Sequence, residues 1–444
     1  MLKFWKSFYL TNLFFYIWAS LVMLMLLGLF WNVAQLLAII SVGVVILLFF
    51  IDGILLYQSS GNIVAARHMA ERFSNSDAND VMIAVENKYP FQVWINLIDE
   101  VPIQFQMRDH SFKFGLNSGQ THSLNYSLTP FERGEYYFGA LNVFVQSRLG
   151  LVKRRFLCDQ SAMVKVYPSF IEMRKFELLA ISNRLTEIGI KKIRKIGHQM
   201  EFDQIRDYIK GDDYRTINWK ATARRSHLMV NQFQDEKSQQ VISVIDMGRN
   251  MQMPFNGLSL LDYAINTSLV ISDIAMGKHD KAGLVTFSDK VQALVSPRRS
   301  QQHLELIMET LYNQTTAFSE HDLAALYSTI RRKINHRSLL VLFTNFESVV
   351  SAQRQMAILK RLAAEHLLVV VFFENSEIQN MLTQPPVTME EVYVKTIAEK
   401  FIYDKKTIYR ELEQNGIHPI LTTPDKLTVN AINKYLELKA RGFI

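Results

Sequence analysis

The feature that most constrains this chain is an uncharged run near its start: from Ser7 to Ile51 there is no Asp, Glu, Lys or Arg, and Leu, Phe, Ile and Val dominate. A helix needs about 20 apolar residues to cross the hydrocarbon of a bilayer. The run has room for two, with WNVAQ (31–35) as the turn, so a transmembrane helical hairpin is expected over Tyr9–Phe30 and Val33–Tyr57. A cleaved signal peptide has a shorter apolar core and ends at a small-residue site, whereas here a second apolar run follows at once. Lys3 and Lys6 precede the first helix, Arg67 and Arg72 follow the second, and the turn between them carries no charge. Positive flanks stay in the cytoplasm, so both ends of the hairpin, and all that follows it, are expected to face the cytoplasm. Trp5 and Trp31 read as anchors at the membrane interface.

The rest is ordinary folded protein: 49% of the 444 residues are hydrophobic and 20% are charged, long enough for two or three domains. The single cysteine, Cys158, rules out a disulfide framework within one chain and suits a reducing compartment. Amid strand residues, with no His at useful spacing, it reads as a buried structural thiol rather than a nucleophile. The formal charge of +7 is scattered over short groups such as KKIRK (191–195), ARR (223–225), PRR (297–299) and RRK (331–333). None forms a dense basic tail, so nucleic acid is not an expected partner.

Beyond the hairpin (1–60), the periodicity divides the chain into three. In 61–168, VMIAVEN, FQVWINLID, THSLNYSL, EYYFGALNVFVQ and MVKVYP are short β-branched and aromatic runs between Asn, Asp, Gly and Pro turns, the pattern of a small β-sandwich. In 169–239, FELLAISNRLTEIGIKKIRKIG spaces its apolar residues by three and four, which predicts a helical connector. From 240 to 444, QQVISVID, AGLVTFS, VQALVS, SLLVLFTN, LLVVVFFEN and HPILTT alternate with amphipathic helical stretches. Continuous apolar strands between such helices imply a doubly wound α/β domain with a mostly parallel sheet covered on both faces. Asp246 and Asn345 each end a strand of it, and strand ends of this kind face a common crevice.

Residues 201–233, EFDQIRDYIKGDDYRTINWKATARRSHLMVNQF, carry an ordered set: Glu201, Phe202, Arg206, Tyr208, Gly211, Asp212, Arg215, Ile217, Trp219, Ala223 and Arg224. This set resembles the signature of the bacterial "domain of unknown function 58" (DUF58) family. The resemblance extends to the membrane hairpin, to the RGEYYFG and SRLGL phrases, and to a von Willebrand factor A-like domain at the C-terminal end. It implies a protein of the bacterial inner membrane, uncharacterised in activity, resembling partners of MoxR-type AAA+ ATPases in assembling or maturing other proteins. Read physically, Arg206, Arg215 and Arg224 and the acids Glu201, Asp207, Asp212 and Asp213 interleave with Tyr208, Ile217 and Trp219, and guanidinium groups both bind carboxylates and stack on rings. Such a set serves either as an internal ion-pair frame or as a partner-binding or anion-binding surface.

In the same resemblance, metal-binding von Willebrand A domains use Asp-x-Ser-x-Ser after the first strand, a Thr from a second loop and a later Asp. Here the first element reads Asp246-Met247-Gly248-Arg249-Asn250, the later Asp is Asn345, and the loop TTAFSEHDL has Thr315 and Thr316 early, with His321 in the Thr place. Magnesium favours anionic oxygen ligands in near-octahedral order, so at this degenerate site it is expected to bind weakly or not at all. Asp246 is expected to cap a turn or to pair with Arg249 or another basic group nearby. The chain contains no GxxxxGK, HExxH or GxSxG element, and no enzyme activity is expected. The leading expectation is a membrane-anchored interaction module. A cation-dependent binder with a degenerate site and an unrecognised hydrolase built on the Arg/Asp cluster are the alternatives.

Overall fold

The computed structural model describes residues 2–58, 63–107, 110–158, 161–171, 173–174, 200–209, 212, 214–235, 238–314, 316, 319–375, 378 and 388–443. The chain forms two compact units, Met1–Tyr167 and Pro168–Ile444. Most of the expected helical connector, including KKIRK and His198, lies outside the described residues.

The first unit opens with helix α1 (Leu2–Ser7), strand β1 (Phe8–Leu10) and helices α2 (Asn12–Gly28) and α3 (Asn32–Gln58). Its strands are β2 (Ile63–Met69), β3 (Arg72–Ser74), β4 (Asn79–Asn87), β5 (Val93–Asp99), β6 (Ser111–Leu116), β7 (Thr121–Leu128), β8 (Gly134–Phe138), β9 (Leu141–Gln146), β10 (Val152–Cys158) and β11 (Ala162–Tyr167). Of the two apolar helices, Gln35–Tyr57 is long and apolar enough to cross a membrane, while Asn12–Gly28 is shorter. The first helix was expected to begin by Tyr9. Instead Phe8, Tyr9 and Leu10 pair antiparallel with Arg154, Lys153 and Val152, and α2 starts only after Thr11, whose hydroxyl accepts the Phe14 amide at 3.2 Å. A ladder with β10 won over the local helical pattern. The two helices meet closely at their turn, where a Cβ on Gly28 would stand 2.9 Å from the Gln35 Cα.

The base of α3 is fastened to the strands. Asp52 is fully buried; it accepts the Leu151 and Val152 amides at 2.8 Å each and the Ser147 hydroxyl. One turn on, the Leu56 carbonyl accepts from Tyr89 at 3.0 Å and Arg154 at 2.5 Å, satisfying a carbonyl that the helix end would otherwise leave without a partner. Sheets β1-β10-β9-β5-β6 and β2-β4-β7 turn their alternate residues, among them Ile63, Ile83, Val85, Leu97, Val143 and Val145, into one core. A third sheet, β3-β11-β8, encloses a smaller one around Phe73, Phe138 and Val166. Between the sheets, buried Arg67 pairs with Asp99, which also accepts the Tyr126 hydroxyl; burial and the Asp99 charge push that hydroxyl well above its ordinary pKa. Cys158 ends β10 only half-buried, not enclosed as its neighbours suggested.

The second unit runs β12 (Met200–Asp207), α4 (Trp219–Arg225), β13 (Met229–Asp235), β14 (Gln240–Asp246), the short pair β15 (Pro254–Phe255) and β16 (Leu258–Ser259), and α5 (Leu260–Gly277). It continues with β17 (Lys281–Phe287), β18 (Val291–Arg298), α6 (Gln301–Tyr312), α7 (Leu323–Lys333), β19 (Leu339–Phe343), α8 (Val349–Glu365), β20 (Leu367–Phe373), α9 (Met389–Gln414), β21 (His418–Thr422) and α10 (Leu427–Ala440). The main sheet has the order β18-β17-β14-β19-β20-β21; all pairs are parallel except β17 with β18 at one edge. Every residue of β19 and β20 is buried, as a strand covered on both faces requires. Side chains alternate between two cores: Val241 and Ile245 pack on the α5 and α10 side, Ile242 and Val244 on the α7 and α8 side. The chain builds outward from β14 through β17 to β18, then crosses back to β19 on the other flank. The crevice between the C-terminal ends of β14 and β19 is therefore the switch point of the sheet, the usual ligand position in such folds.

Candidate functional site

Asp246 ends β14 at that switch point with no exposed surface. Its Oδ1 accepts the Gly248 amide at 2.8 Å, which caps the turn. Its Oδ2 accepts the Thr344 hydroxyl at 2.6 Å and faces Nδ1 of His321 at 3.1 Å. Arg249 is elsewhere, at the surface, 3.7 Å from Glu347. Burial opposes a charge on His321, but the Asp246 hydrogen bond and charge, helped by Gln355 and Glu320, outweigh it, so the imidazole pKa lies above its ordinary value. The other ring nitrogen stands 2.5 Å from the Gln355 carboxamide nitrogen, and Gln355 Oε1 is buried without a partner. Turning that amide over gives the ring an acceptor on each side, which suits its raised pKa.

The remaining sequence-predicted residues of the crevice bond to one another. Asn250 Nδ2 donates to the Asn345 carbonyl at 3.1 Å and Asn345 Nδ2 donates to the Asn250 carbonyl at 3.3 Å. Thr316 donates to the Met247 carbonyl at 2.6 Å; Thr315 lies outside the described residues. From α9, Lys405 Nζ reaches Asn345 Oδ1 at 2.6 Å and the Phe346 carbonyl at 2.8 Å. Burial lowers its pKa to about 8, against the pull of Glu374 and Glu347. A serine in place of Gly248 would put its Cβ 3.0 Å from Asp246 Oδ1 and 3.1 Å from the His321 Cβ. This donor set fits a divalent ion poorly: the one carboxylate is already bonded by the Gly248 amide and the Thr344 hydroxyl and faces the His321 ring, the second acid is an amide tied to Lys405, and the hydroxyl position is closed by the ring.

Next to the crevice, over the ends of β19, β20 and β21, lies a cavity of about 260 Å³ lined chiefly by Met253, Phe255, Phe346, Phe373, Phe401 and Ile402, with Lys405 in its wall. Neither Lys405 nor Gln355 carries a local sequence signal. Both come from helices far along the chain, and only the packing of α8 and α9 against the sheet brings them here.

The signature residues form a separate structure. β12 and β13 pair as an antiparallel ribbon, and the chain between them makes an excursion that ends in α4. Arg206 grips Asp212 with two bonds, at 2.7 and 2.9 Å, and the same carboxylate accepts the Ile209 amide at 2.9 Å. The Arg206 hydrogen bonds hold the Asp212 pKa below the usual carboxylate value. Asn218 caps α4 by accepting the Ala221 amide at 3.0 Å, while its own amide bonds the Met229 carbonyl at 2.8 Å. Thr222 accepts the Met229 amide at 3.0 Å, and Ile217 bridges to Val230. On this frame Tyr214, with Arg215 against its ring at 5.7 Å, and Trp219 project outward, 70% and 69% exposed. Arg224 and Arg225 are exposed beside them. His227 meets Asp207 at 3.0 Å on the surface, and Tyr208 is half-buried. Glu201 and Phe202 sit in β12; Gly211 lies outside the described residues.

Residues 204–391 match the family described as protein of unknown function DUF58. The DUF58 segment thus spans the excursion, the crevice loops and the sheet through β20. Uncharacterized protein Rv1480 of Mycobacterium tuberculosis (strain ATCC 25618 / H37Rv) is 24% identical over 177 residues, 39% of this chain and 55% of the relative. Uncharacterized protein YeaD of Bacillus subtilis (strain 168) is 27% identical over 126 residues, 28% of this chain and 31% of the relative. The matched regions span about half or less of these relatives. A solved structure, conserved hypothetical protein BatB from Bacteroides thetaiotaomicron, aligns at 12% identity and a TM-score of 0.29, covering 46% of this chain and 100% of its own; so slight a likeness carries no argument.

Proposed function

We propose that the protein is a membrane-anchored adaptor or assembly factor of the bacterial inner membrane, facing the cytoplasm, whose excursion between β12 and β13 docks a protein partner, a MoxR-type AAA+ ATPase. The observation that carries this reading is the outward placement of Trp219 and Tyr214, 69% and 70% exposed, on a frame pinned by the Arg206–Asp212 pair. Large rings held rigidly in solvent, with arginines alongside, are the usual anchors of protein interfaces. The second unit is read as a von Willebrand A-like domain from its strand order and from the acid at its switch point. The first unit, with α3 bolted to its strands through Asp52, would hold that domain to the membrane. Under this reading the crevice is a structural element and supplies no catalytic group.

The test is purification of the full-length protein from native membranes in mild detergent, beside Trp219→Ala and Arg215→Ala. An AAA+ ATPase at near-stoichiometric yield with wild type, and lost from both variants while their melting is unchanged, is the expected result. No companion with wild type, or equal capture by Trp219→Ala, would overturn the reading.

A further inference from the structure

Helix α9 is two different helices in one. Its C-terminal half packs on the sheet through Ile408 and Leu412, both fully buried. The N-terminal half, fixed by a capping box between Thr388 and Glu391, turns its apolar residues outward: Met389, Tyr393, Ile397 and Phe401 are 79, 70, 55 and 46% exposed. Residues four apart are neighbours on one helix face, so these make a continuous stripe. Phe401 also lines the cavity of about 260 Å³ beside the crevice, and the stripe therefore leads into it. Contiguous apolar surface of this kind marks an interaction site.

Charge decides the occupant. Along the stripe and around the cavity Glu347, Glu374, Glu390, Glu391 and Glu399 outnumber Lys395, Lys400 and Lys405. An anionic membrane surface attracts basic helices, so this balance argues against lipid. It suits a partner with apolar anchors and a basic rim. The excursion of this same chain has that chemistry: Trp219, Tyr214 and Ile209 are exposed, and among its described residues the exposed Arg215, Lys220, Arg224 and Arg225 outnumber the exposed acid Asp207. A cavity of about 150 Å³ accepts benzene, so the larger one here has room for an indole ring.

We infer that the excursion of one copy docks on the α9 stripe of a second, with Trp219 in the cavity beside Lys405. The contact joins two different surfaces of the chain, so it closes reciprocally as a two-fold pair or runs head to tail into rings or chains. Copies anchored in one membrane meet at a raised effective concentration, so a modest affinity suffices. This inference rests on the docking role proposed for the excursion and names a further partner for it.

The experiment is sedimentation of the full-length protein in mild detergent across a concentration series, for wild type, Trp219→Ala and Ile397→Arg, both exposed positions. Wild type is expected to grow beyond the monomer with concentration and to dissociate as salt is raised. Each variant alone is expected to need at least a tenfold higher concentration to associate. An equal mixture of the two variants restores one intact contact and should give dimers that do not grow further. Wild type that stays monomeric overturns the inference and leaves the stripe to another protein. Growth unaffected by Ile397→Arg but abolished by Trp219→Ala overturns the α9 acceptor while keeping the excursion as a docking surface. Growth unaffected by Trp219→Ala overturns the inference, and the docking of the ATPase then stands or falls on the capture experiment alone.

Discussion

Asp246 has no exposed surface and gives both carboxylate oxygens to its own chain, whereas Trp219 keeps 69% of its surface in solvent. The two lie in the same stretch that matches DUF58, yet polar chemistry is used in opposite ways around them. In the crevice a histidine ring, a threonine hydroxyl, two asparagines and a lysine close on one another. In the excursion the Arg206–Asp212 pair braces the turn, and Tyr214, Trp219, Arg224 and Arg225 face outward. A buried charge is tolerable only when its partners stay in place, so the crevice reads as a lock. An exposed ring contributes little to folding, so its position is open to a role in contact.

The sharpest way to break this comparison is to remove one partner of each. His321→Ala leaves the Asp246 carboxylate buried without its imidazole partner and should cost about 3 kcal/mol in denaturant unfolding, while Trp219→Ala should stay within about 0.5 kcal/mol of wild type. Equal losses would make both regions structural. Next in size is association: Trp219→Ala should weaken partner capture at least about tenfold, equivalent to about 1.4 kcal/mol, and His321→Ala, measured where it is still folded, should leave capture intact.

A smaller effect separates the two by pH. The folded pKa of His321 is raised, so its contribution to stability is complete below the ordinary histidine value and is lost as pH rises through the raised one. Lys405 runs the other way: its folded value of about 8 lies under the ordinary 10.5, so its contribution to stability rises between them. Unfolding curves taken between the ordinary histidine value of about 6.5 and pH 8 should show stability falling with pH in wild type, and a flatter trend in His321→Ala. A wild-type profile as flat as the variant's would remove the charged ring from the lock. The smallest expected signal is a null: titration of magnesium or manganese into the full-length protein should give no saturable heat. A binding isotherm abolished by Asp246→Ala would reopen the crevice as a cation site.

Much of this was readable from spacing. The strands QQVISVID, SLLVLFTN and LLVVVFFEN are apolar throughout because both faces are covered, and the helices between them show their three-to-four periodicity. From there the placement of Asp246 and Asn345 at neighbouring strand ends follows with little else. The cation facing Asp246 was less legible: Arg249 is nearer in sequence, but its side chain reaches the surface toward Glu347, and His321 arrives from a distant loop. Phe8–Leu10 was misread because three apolar residues beside a helix carry no period of their own. Their partner, β10, is more than a hundred residues away, and a ladder overrides so short a pattern.

The sequence by itself determined the kinds of element and their order: an uncharged apolar start, a β-rich stretch, then strands and helices in alternation with an acid at the first turn. These depend on local periodicity and composition, which short windows contain. Only the tertiary structure decided which charges meet. That Gln355 and Lys405 join His321 at two adjacent strand ends, that Asp52 holds a helix base to β10, and that half of α9 is exposed beside a cavity all depend on long-range packing. Hydrogen bonds and ion pairs act over a few ångströms, and no window of sequence contains residues brought that close from so far apart.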